Sequence, residues 1–362
     1  MGGRDIFAGT IARRLERPHN AFAVLRLALA VAVVVSHAGS VGTGSVVDEP
    51  LAAWTGFTLG EHAVNGFFAV SGFLVTMSFD RRGPRDYALA RVLRIVPGLV
   101  AATLAVALVL GPAMSRLPPT EYLRDPGLWR FVEGTLTAFK SNAALPGVFL
   151  DNPYRSPLGT VWTLKYEVLC YLGVLVVGLA GFLRRRWALP ALAVALAIAL
   201  VAAEARLAPL PKHWETNLRL PLIFCTGAAL YAARDRVPLS VLPVMAALLA
   251  GYCLQGGVLY RAVLFTGEAY GAIWLALGPL ARLAPEPKAD LSYGIYLYGW
   301  PIQQSLYALA PGLPPVALLA ASLVLVVPVA ALSWYAVEQP GLRLKARALR
   351  GRAPRAAQPM GP

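Results

Sequence analysis

Charge is scarce in this sequence. Only 14% of its 362 residues are Asp, Glu, Lys or Arg, against about 25% in an ordinary soluble domain. With 57% of the residues hydrophobic, a water-soluble fold lacks the polar surface to cover its apolar side chains, which excludes the soluble classes. Acidic residues are the scarcer sign, 19 against 33 Lys and Arg, for a net charge of +14. A basic protein can bind polyanions, but these arginines stand in short clusters between apolar runs, the pattern of cytoplasmic loops in membrane proteins. Nucleic acid is therefore not an expected partner. Cysteine is nearly absent: Cys170, Cys225 and Cys253 each fall inside an apolar run, with no CxxC or Cys/His cluster. No disulfide framework and no metal site can be read.

What is abundant is apolar sequence, and it recurs from Ala21 to Val337 without a long polar block. A bilayer crossing takes about 20 mostly apolar residues. By that measure the spans are expected at 21–38, 62–79, 92–111, 160–182, 188–204, 218–234, 237–253, 258–281, 290–309 and 315–337. The fold class is all-α, a polytopic membrane protein of about ten helices. The first run resembles a signal peptide, but Arg26 and His37 inside it point to a retained helix.

Loop charge gives an independent reading. Arg13, Arg14 and Arg17 precede the first span; Arg81, Arg82, Arg85 and Arg91 follow the second; Arg184 to Arg186 follow the fourth; Arg234 and Arg236 follow the sixth. Arg282 and Lys288 follow the eighth, and a run from Arg343 to Arg355 follows the tenth. Every second loop is basic, so both termini are expected in the cytoplasm. The expected division is a cytoplasmic segment over 1–20, a membrane domain over 21–343 and a basic, disordered tail over 344–362.

An ionisable side chain inside a span costs several kcal/mol unless it meets a cavity or a partner. Arg26 and His37 are eleven residues apart, which at about 100° per residue places them on one helical stripe about 16 Å long. A neutral imidazole can take a proton from a hydroxyl. Glu167, a few residues into the fourth span, is expected at the depth of His37, where it could orient the imidazole. Arg91 and Arg94, one turn apart at the cytoplasmic mouth, present guanidinium groups suited to phosphates, with Arg82 close by in the chain. Gly66 and Gly72 permit close helix approach, while Asn65 and Ser71 could line a pocket. Trp162, Tyr166, Tyr293, Trp300, Gln303 and Glu338 are further candidates for the wall of a polar cavity, helped by a kink at Pro301.

These residues resemble, in order and spacing, the membrane-bound acyltransferase-3 family. The resemblance rests on Arg26 and His37 separated by ten residues, Asn65-Gly-Phe-Phe-Ala-Val-Ser71-Gly-Phe, Arg91-x-x-Arg94-Ile-x-Pro97, Trp162-Thr-Leu-x-Tyr166-Glu167, Leu291-Ser-Tyr-Gly-Ile-Tyr and Glu338-x-Pro340. It implies a ten-helix fold that moves an acyl group, usually acetyl from cytoplasmic acetyl-CoA, to carbohydrate at the outer face of the bacterial inner membrane. It also implies that Arg26 and His37 are essential. The Trp-Thr-Leu-x-Tyr-Glu version is most similar to members that modify exopolysaccharide and Nod factors. Two departures stand out: many relatives carry an acidic residue in place of Asn65 and a histidine in place of Gly299.

The expected mechanism has acyl-CoA entering near Arg91 and Arg94, Arg26 meeting the donor deeper in the bundle, and His37, oriented by Glu167, deprotonating the acceptor hydroxyl. Expected partners are acyl-CoA, a carbohydrate acceptor that includes lipid-linked forms, and membrane lipids. The rival class is a transporter or flippase for a lipid-linked sugar, which should show internal repeats that the two halves lack.

Overall fold

Residues 9–343 are described by the computed structural model, and helix is their dominant regular element. Among them strand pairing is limited to two isolated bridges, Thr10 with Pro238 and Ser115 with Val148. The predicted tail over 344–362 and the first eight residues lie outside the described residues.

A helix lies at each of the ten predicted places: α1 (Phe22–Ser40), α2 (Leu59–Arg82), α3 (Pro84–Ala105), α4 (Trp162–Leu179), α5 (Ala188–Arg206), α6 (Lys212–Ala232), α7 (Leu242–Cys253), α8 (Tyr260–Leu277), α9 (Ser292–Leu309) and α10 (Pro315–Ser333). Seven helical segments, containing α1 to α5, α8 and α10, are long and apolar enough to cross a membrane. Of the other three, α7 is apolar but short, whereas α6 and α9 carry polar residues along their length. The polarity of α9 follows from its position: from Ser292 to Pro301 every residue is buried, so protein packs around that stretch on all sides.

Local chemistry sets several boundaries. α2 begins three residues earlier than its apolar run because Thr58 and Glu61 form a capping box, each side chain accepting from the other's backbone N–H. α6 begins six residues earlier than predicted because the charged stretch from Lys212 to Glu215 is helical: Glu215 pairs along the helix with Lys212 and Arg219, and Lys212 and Arg219 pair across to Glu61 of α2. α2 and α6 make the closest crossing in the bundle: a Cβ on Gly72 would lie 2.0 Å from the Phe224 carbonyl oxygen, and one on Gly227 would lie 2.1 Å from that of Ala69. This is the small-residue packing expected of helices in a bilayer.

The charge alternation also has a structural counterpart. The Ile11 N–H donates to the Val237 carbonyl at 3.1 Å and the Leu239 N–H to that of Gly9 at 2.9 Å. The segment before α1 and the basic connection after α6 thus share one face of the bundle.

Candidate active site

Arg26, near the start of α1, donates from Nη2 to Oδ2 of Asp290 at 2.7 Å and to Oγ of Ser292 at 3.2 Å. Arg94 of α3 reaches the same Asp290 oxygen at 3.1 Å. Arg91 lies over the Tyr171 ring and Arg94 over the Tyr293 ring, 5.4 and 5.6 Å from the centroids. Arg26, Ser71, Arg91, Arg94, Tyr171, Ser292 and Tyr293 line one cavity. Its charged walls hold three guanidinium groups and the Glu167 carboxylate, with Asp290 behind two of the arginines. Buried Glu338 accepts from Ser333 Oγ at 3.1 Å and stands within electrostatic reach of Arg94. An excess of guanidinium on a partly enclosed surface is a site for an anion, above all a phosphate.

Glu167 belongs to this cavity and not to His37. Its carboxylate accepts a hydrogen bond from the Tyr171 hydroxyl, and it shares the cavity wall with Arg26 and Arg94. The predicted depth fails because α4 does not start at the bundle's end. The 3₁₀ turn Gly159–Val161 that feeds it is sunk against α9: Thr160 Oγ1 donates to the Tyr296 carbonyl at 3.1 Å, and a Cβ on Gly159 would lie 2.6 Å from the Trp300 ring. Five residues further on, Glu167 is already level with the arginines.

The residue that holds His37 is Glu49, in the connection between α1 and α2. Its Oε1 lies 3.2 Å from His37 Nδ1 and accepts from Ser40 Oγ at 2.6 Å, while Oε2 accepts from Ser36 Oγ. Gly39 makes the approach feasible, because a Cβ there would lie 2.6 Å from the Asp48 carbonyl oxygen. Burial pushes the Glu49 carboxyl up, but the hydrogen bond and attraction of His37, with the Ser36 and Ser40 hydroxyls, outweigh it and hold the pKa down to about 2. An ionised Glu49 can only accept, so Nδ1 is the nitrogen that donates to it, and Nε2 is the nitrogen left for another partner. Trp300 packs edge-on against the imidazole, 4.9 Å between centroids, held by its own hydrogen bond to the Ser156 carbonyl at 2.7 Å.

The two ends do not share one chamber. Gly60 N–H donates to Ser36 Oγ and Gly66 faces Leu29, so α1 and α2 run antiparallel with Val64 level with residues 31–32. The cavity ends at Val64, Phe67 and Tyr296, about 8 Å short of His37 at 1.5 Å per residue. Buried Val33 and Val34 fill that stretch of α1, and Tyr296 closes the cavity end, hydrogen-bonded to Thr163 at 2.6 Å and packed edge-on against Phe67.

Of the other predicted residues, Tyr293 lines the arginine cavity and donates to the Ile95 carbonyl at 2.9 Å. Gln303 donates to the Val34 carbonyl at 2.8 Å, beneath His37. Arg82 is exposed at the end of α2 and does not line the cavity. Trp162 and Tyr166 pack edge-on against each other outside it. Asn65 is fully buried in a separate polar cluster, donating to Glu268 at 2.6 Å and accepting from Arg219 at 3.0 Å. Gly299 is packed by Val34, whose methyl would lie 2.7 Å from a Cβ. Among the described residues no group of three or more His, Cys, Asp or Glu is arranged to hold a metal ion. Beyond His37, a polar groove of about 780 Å³ is lined by Arg116, Asp151, Asn152 and Tyr307, and the Tyr307 ring adjoins Gly42.

Glu49, Asp290, Arg219 and Glu268 were not among the predicted site residues. Arg219 and Glu268 carry the usual signal, a charge inside an apolar run; Glu49 lies in a connection and Asp290 at the very edge of an expected span, where a charge is unremarkable.

Comparison with known proteins adds to this geometry. Residues 19–335 match a family described as an acyltransferase domain. An O-acetyl transferase of Shigella phage Sf6 is 28% identical over 336 residues, covering 88% of this chain and 95% of the phage protein. No solved structure matches significantly.

Proposed function

This chain belongs to the acyltransferase-3 family, and on that premise we propose that it transfers an acetyl group from acetyl-CoA to a hydroxyl of a cell-surface carbohydrate, as a multi-pass protein of the bacterial inner membrane with both termini in the cytoplasm. Exopolysaccharide, O-antigen and lipid-linked oligosaccharide are the acceptor classes in view. The observation that carries the reading is a single helix with a guanidinium and an imidazole at its two ends: Arg26 in an arginine-lined cavity, and His37 with its Nδ1 held by Glu49.

The donor's phosphates bind Arg91, Arg94 and Arg26, replacing part of the Asp290 interaction. The pantetheine arm extends along α1 toward His37, a path of about 16 Å that requires Tyr296 and Phe67 to part. The acceptor arrives from the opposite face, where the groove of Arg116, Asp151 and Asn152 offers hydrogen-bonding groups suited to a sugar. His37 Nε2 takes the hydroxyl proton as the oxygen attacks the thioester carbonyl; the new C–O ester bond forms, the C–S bond breaks, and His37 returns the proton to the departing thiolate. Glu49 fixes the tautomer and stabilises the transient imidazolium, as a carboxylate does behind a catalytic histidine. Direct attack needs no covalent acyl-enzyme and uses only groups already in place.

The test is transfer of labelled acetyl from acetyl-CoA by purified protein. His37→Ala should abolish it; a variant that still acetylates at the wild-type rate removes the mechanism.

A further inference from the structure

A second cavity, about 1,690 Å³, lies between α1, α2, α7 and α8. Leu25, Leu29, Val244, Leu264, Ala272 and Leu275 make most of it apolar. Along α8 it runs from Tyr260 to Leu275, about 22 Å at 1.5 Å per residue, most of the roughly 30 Å of bilayer hydrocarbon. Its outer wall is α7, only 12 residues long and turned toward lipid through exposed Leu242, Met245, Leu248 and Leu249. The space is long and mostly apolar, as a lipid chain requires.

The half nearer Tyr260 is not apolar. His62 pairs with Glu268, which stands midway along α8's share of the wall; Asn65 donates to the second oxygen of Glu268 at 2.6 Å, and Thr55 Oγ1 lies 2.8 Å from the far nitrogen of His62. Gln255 and Tyr260 form the rim above them. An ionisable pair set on a cavity wall within a span is costly without a function for it, and the acetyl-transfer mechanism uses neither residue. The histidine also stands near the right height. With Gly60 bonded to Ser36 and Gly66 facing Leu29, His62 is level with residues 33–34 of α1, about one turn from His37 and about one helix diameter, on the order of 10 Å, to the side.

We infer that this cleft binds the hydrocarbon chain of a glycolipid acceptor, with the sugar nearest the chain held at His62 and Glu268 and the acceptor hydroxyl presented to His37 over the start of α2. A carboxylate accepts hydrogen bonds from sugar hydroxyls, whereas it repels a phospholipid phosphate, which favours a glycolipid over bulk bilayer lipid. The inference rests on the acyl-transfer reading and narrows its acceptor.

The experiment uses the full chain in detergent with a panel of monosaccharides, each offered as a long-chain isoprenyl glycoside and as a methyl glycoside. Gly251→Leu and Gly271→Leu put a side chain into the cleft where a Cβ meets nothing closer than 4.0 Å; Gly173→Leu, on the open face of α4 away from the cleft, is the control. Filling the cleft should lower kcat/KM for the isoprenyl glycoside by about tenfold or more, from the loss of several methylene contacts. The methyl glycoside should change less than about twofold, and the control should alter neither. Equal losses on both acceptors, or no loss on either, overturn the proposal. In parallel, a photoreactive isoprenyl glycoside should label α7 and α8 and be displaced by unlabelled glycoside but not by phosphatidylglycerol; equal displacement by both reduces the cleft to a bulk-lipid site and overturns it too. Labelling without acetylation of either acceptor upholds the glycolipid site and removes the acyl-transfer reading instead.

Discussion

Glu49 Oε1 lies 3.2 Å from His37 Nδ1, although the two residues are separated by the end of a helix and a 3₁₀ turn. The pair is closed on three sides: Ser36 and Ser40 bond the carboxylate, and Trp300 packs against the ring. Because the carboxylate side chain is only 3% exposed and the imidazole 23% exposed, the arrangement holds a proton on the inner nitrogen and presents the outer one.

Glu49→Gln keeps the shape and removes the charge. The amide can donate to Nδ1, which moves the proton to Nε2 and disables it as a base. Acetyl transfer should fall by about 10²- to 10⁴-fold, the range seen when the carboxylate behind a catalytic histidine is neutralised. The donor KM should stay within about twofold, since no arginine of the donor cavity is touched. Steady-state kinetics with labelled acetyl-CoA measures both, and an unchanged kcat would contradict the assignment.

The same carboxylate links stability to pH. Its pKa is depressed in the folded protein, from an ordinary 4.5 to about 2, so its contribution is complete above pH 4.5 and is lost as pH falls toward 2. The shift corresponds to about 3 kcal/mol. Thermal melts in detergent should therefore show wild type more stable than Glu49→Gln at pH 6, with the gap closing between pH 4.5 and 2. A gap independent of pH would mean that the carboxylate contributes only its shape.

The all-helical membrane fold is legible because apolar runs and arginine clusters are local signals, and the stripe from Arg26 to His37 follows from helical period alone. Glu167 was misplaced because its depth was counted from a helix start assumed to lie at the bundle's end, whereas that start is packed against Tyr296 and Trp300. Glu49 and Asp290 were illegible for a different reason. Each becomes special through a partner brought close by chain reversal or by packing of distant helices, Asp290 meeting Arg26 across 264 residues of sequence.

Arg82 and Arg94 were grouped as donor ligands, but the structure separates them. Arg94 lines the cavity and is 18% exposed, whereas Arg82 is exposed and outside it. Arg94→Ala should raise the acetyl-CoA KM by about tenfold or more, the scale of one charge-assisted contact to a phosphate. Arg82→Ala should leave it within about twofold. Titrating CoA into each variant by calorimetry separates binding from turnover, and equal effects of the two substitutions would contradict the cavity as the donor site.

Arg219 tests the architecture rather than the chemistry. It is fully buried on α6, its Nε 2.6 Å from Glu215 Oε1 and its Nη2 3.5 Å from Glu61 Oε1, and its guanidinium stacks over Phe57 and Phe265. Through Asn65 it also reaches Glu268 at the second cavity. Arg219→Met leaves Glu215 nearly completely buried beside a thioether; Lys212, 3.3 Å from Glu215, is 64% exposed and shared with Glu61, so it compensates weakly. Breaking a buried pair from one side costs about 3 to 5 kcal/mol, whereas replacing both charges with apolar groups is often near neutral. The single variant should melt well below wild type, and Arg219→Met with Glu215→Leu should recover much of the loss. If instead the double variant is the less stable of the two, the two charges are not acting as a pair, and Arg219 holds α6 to α2 through Asn65 and Glu61.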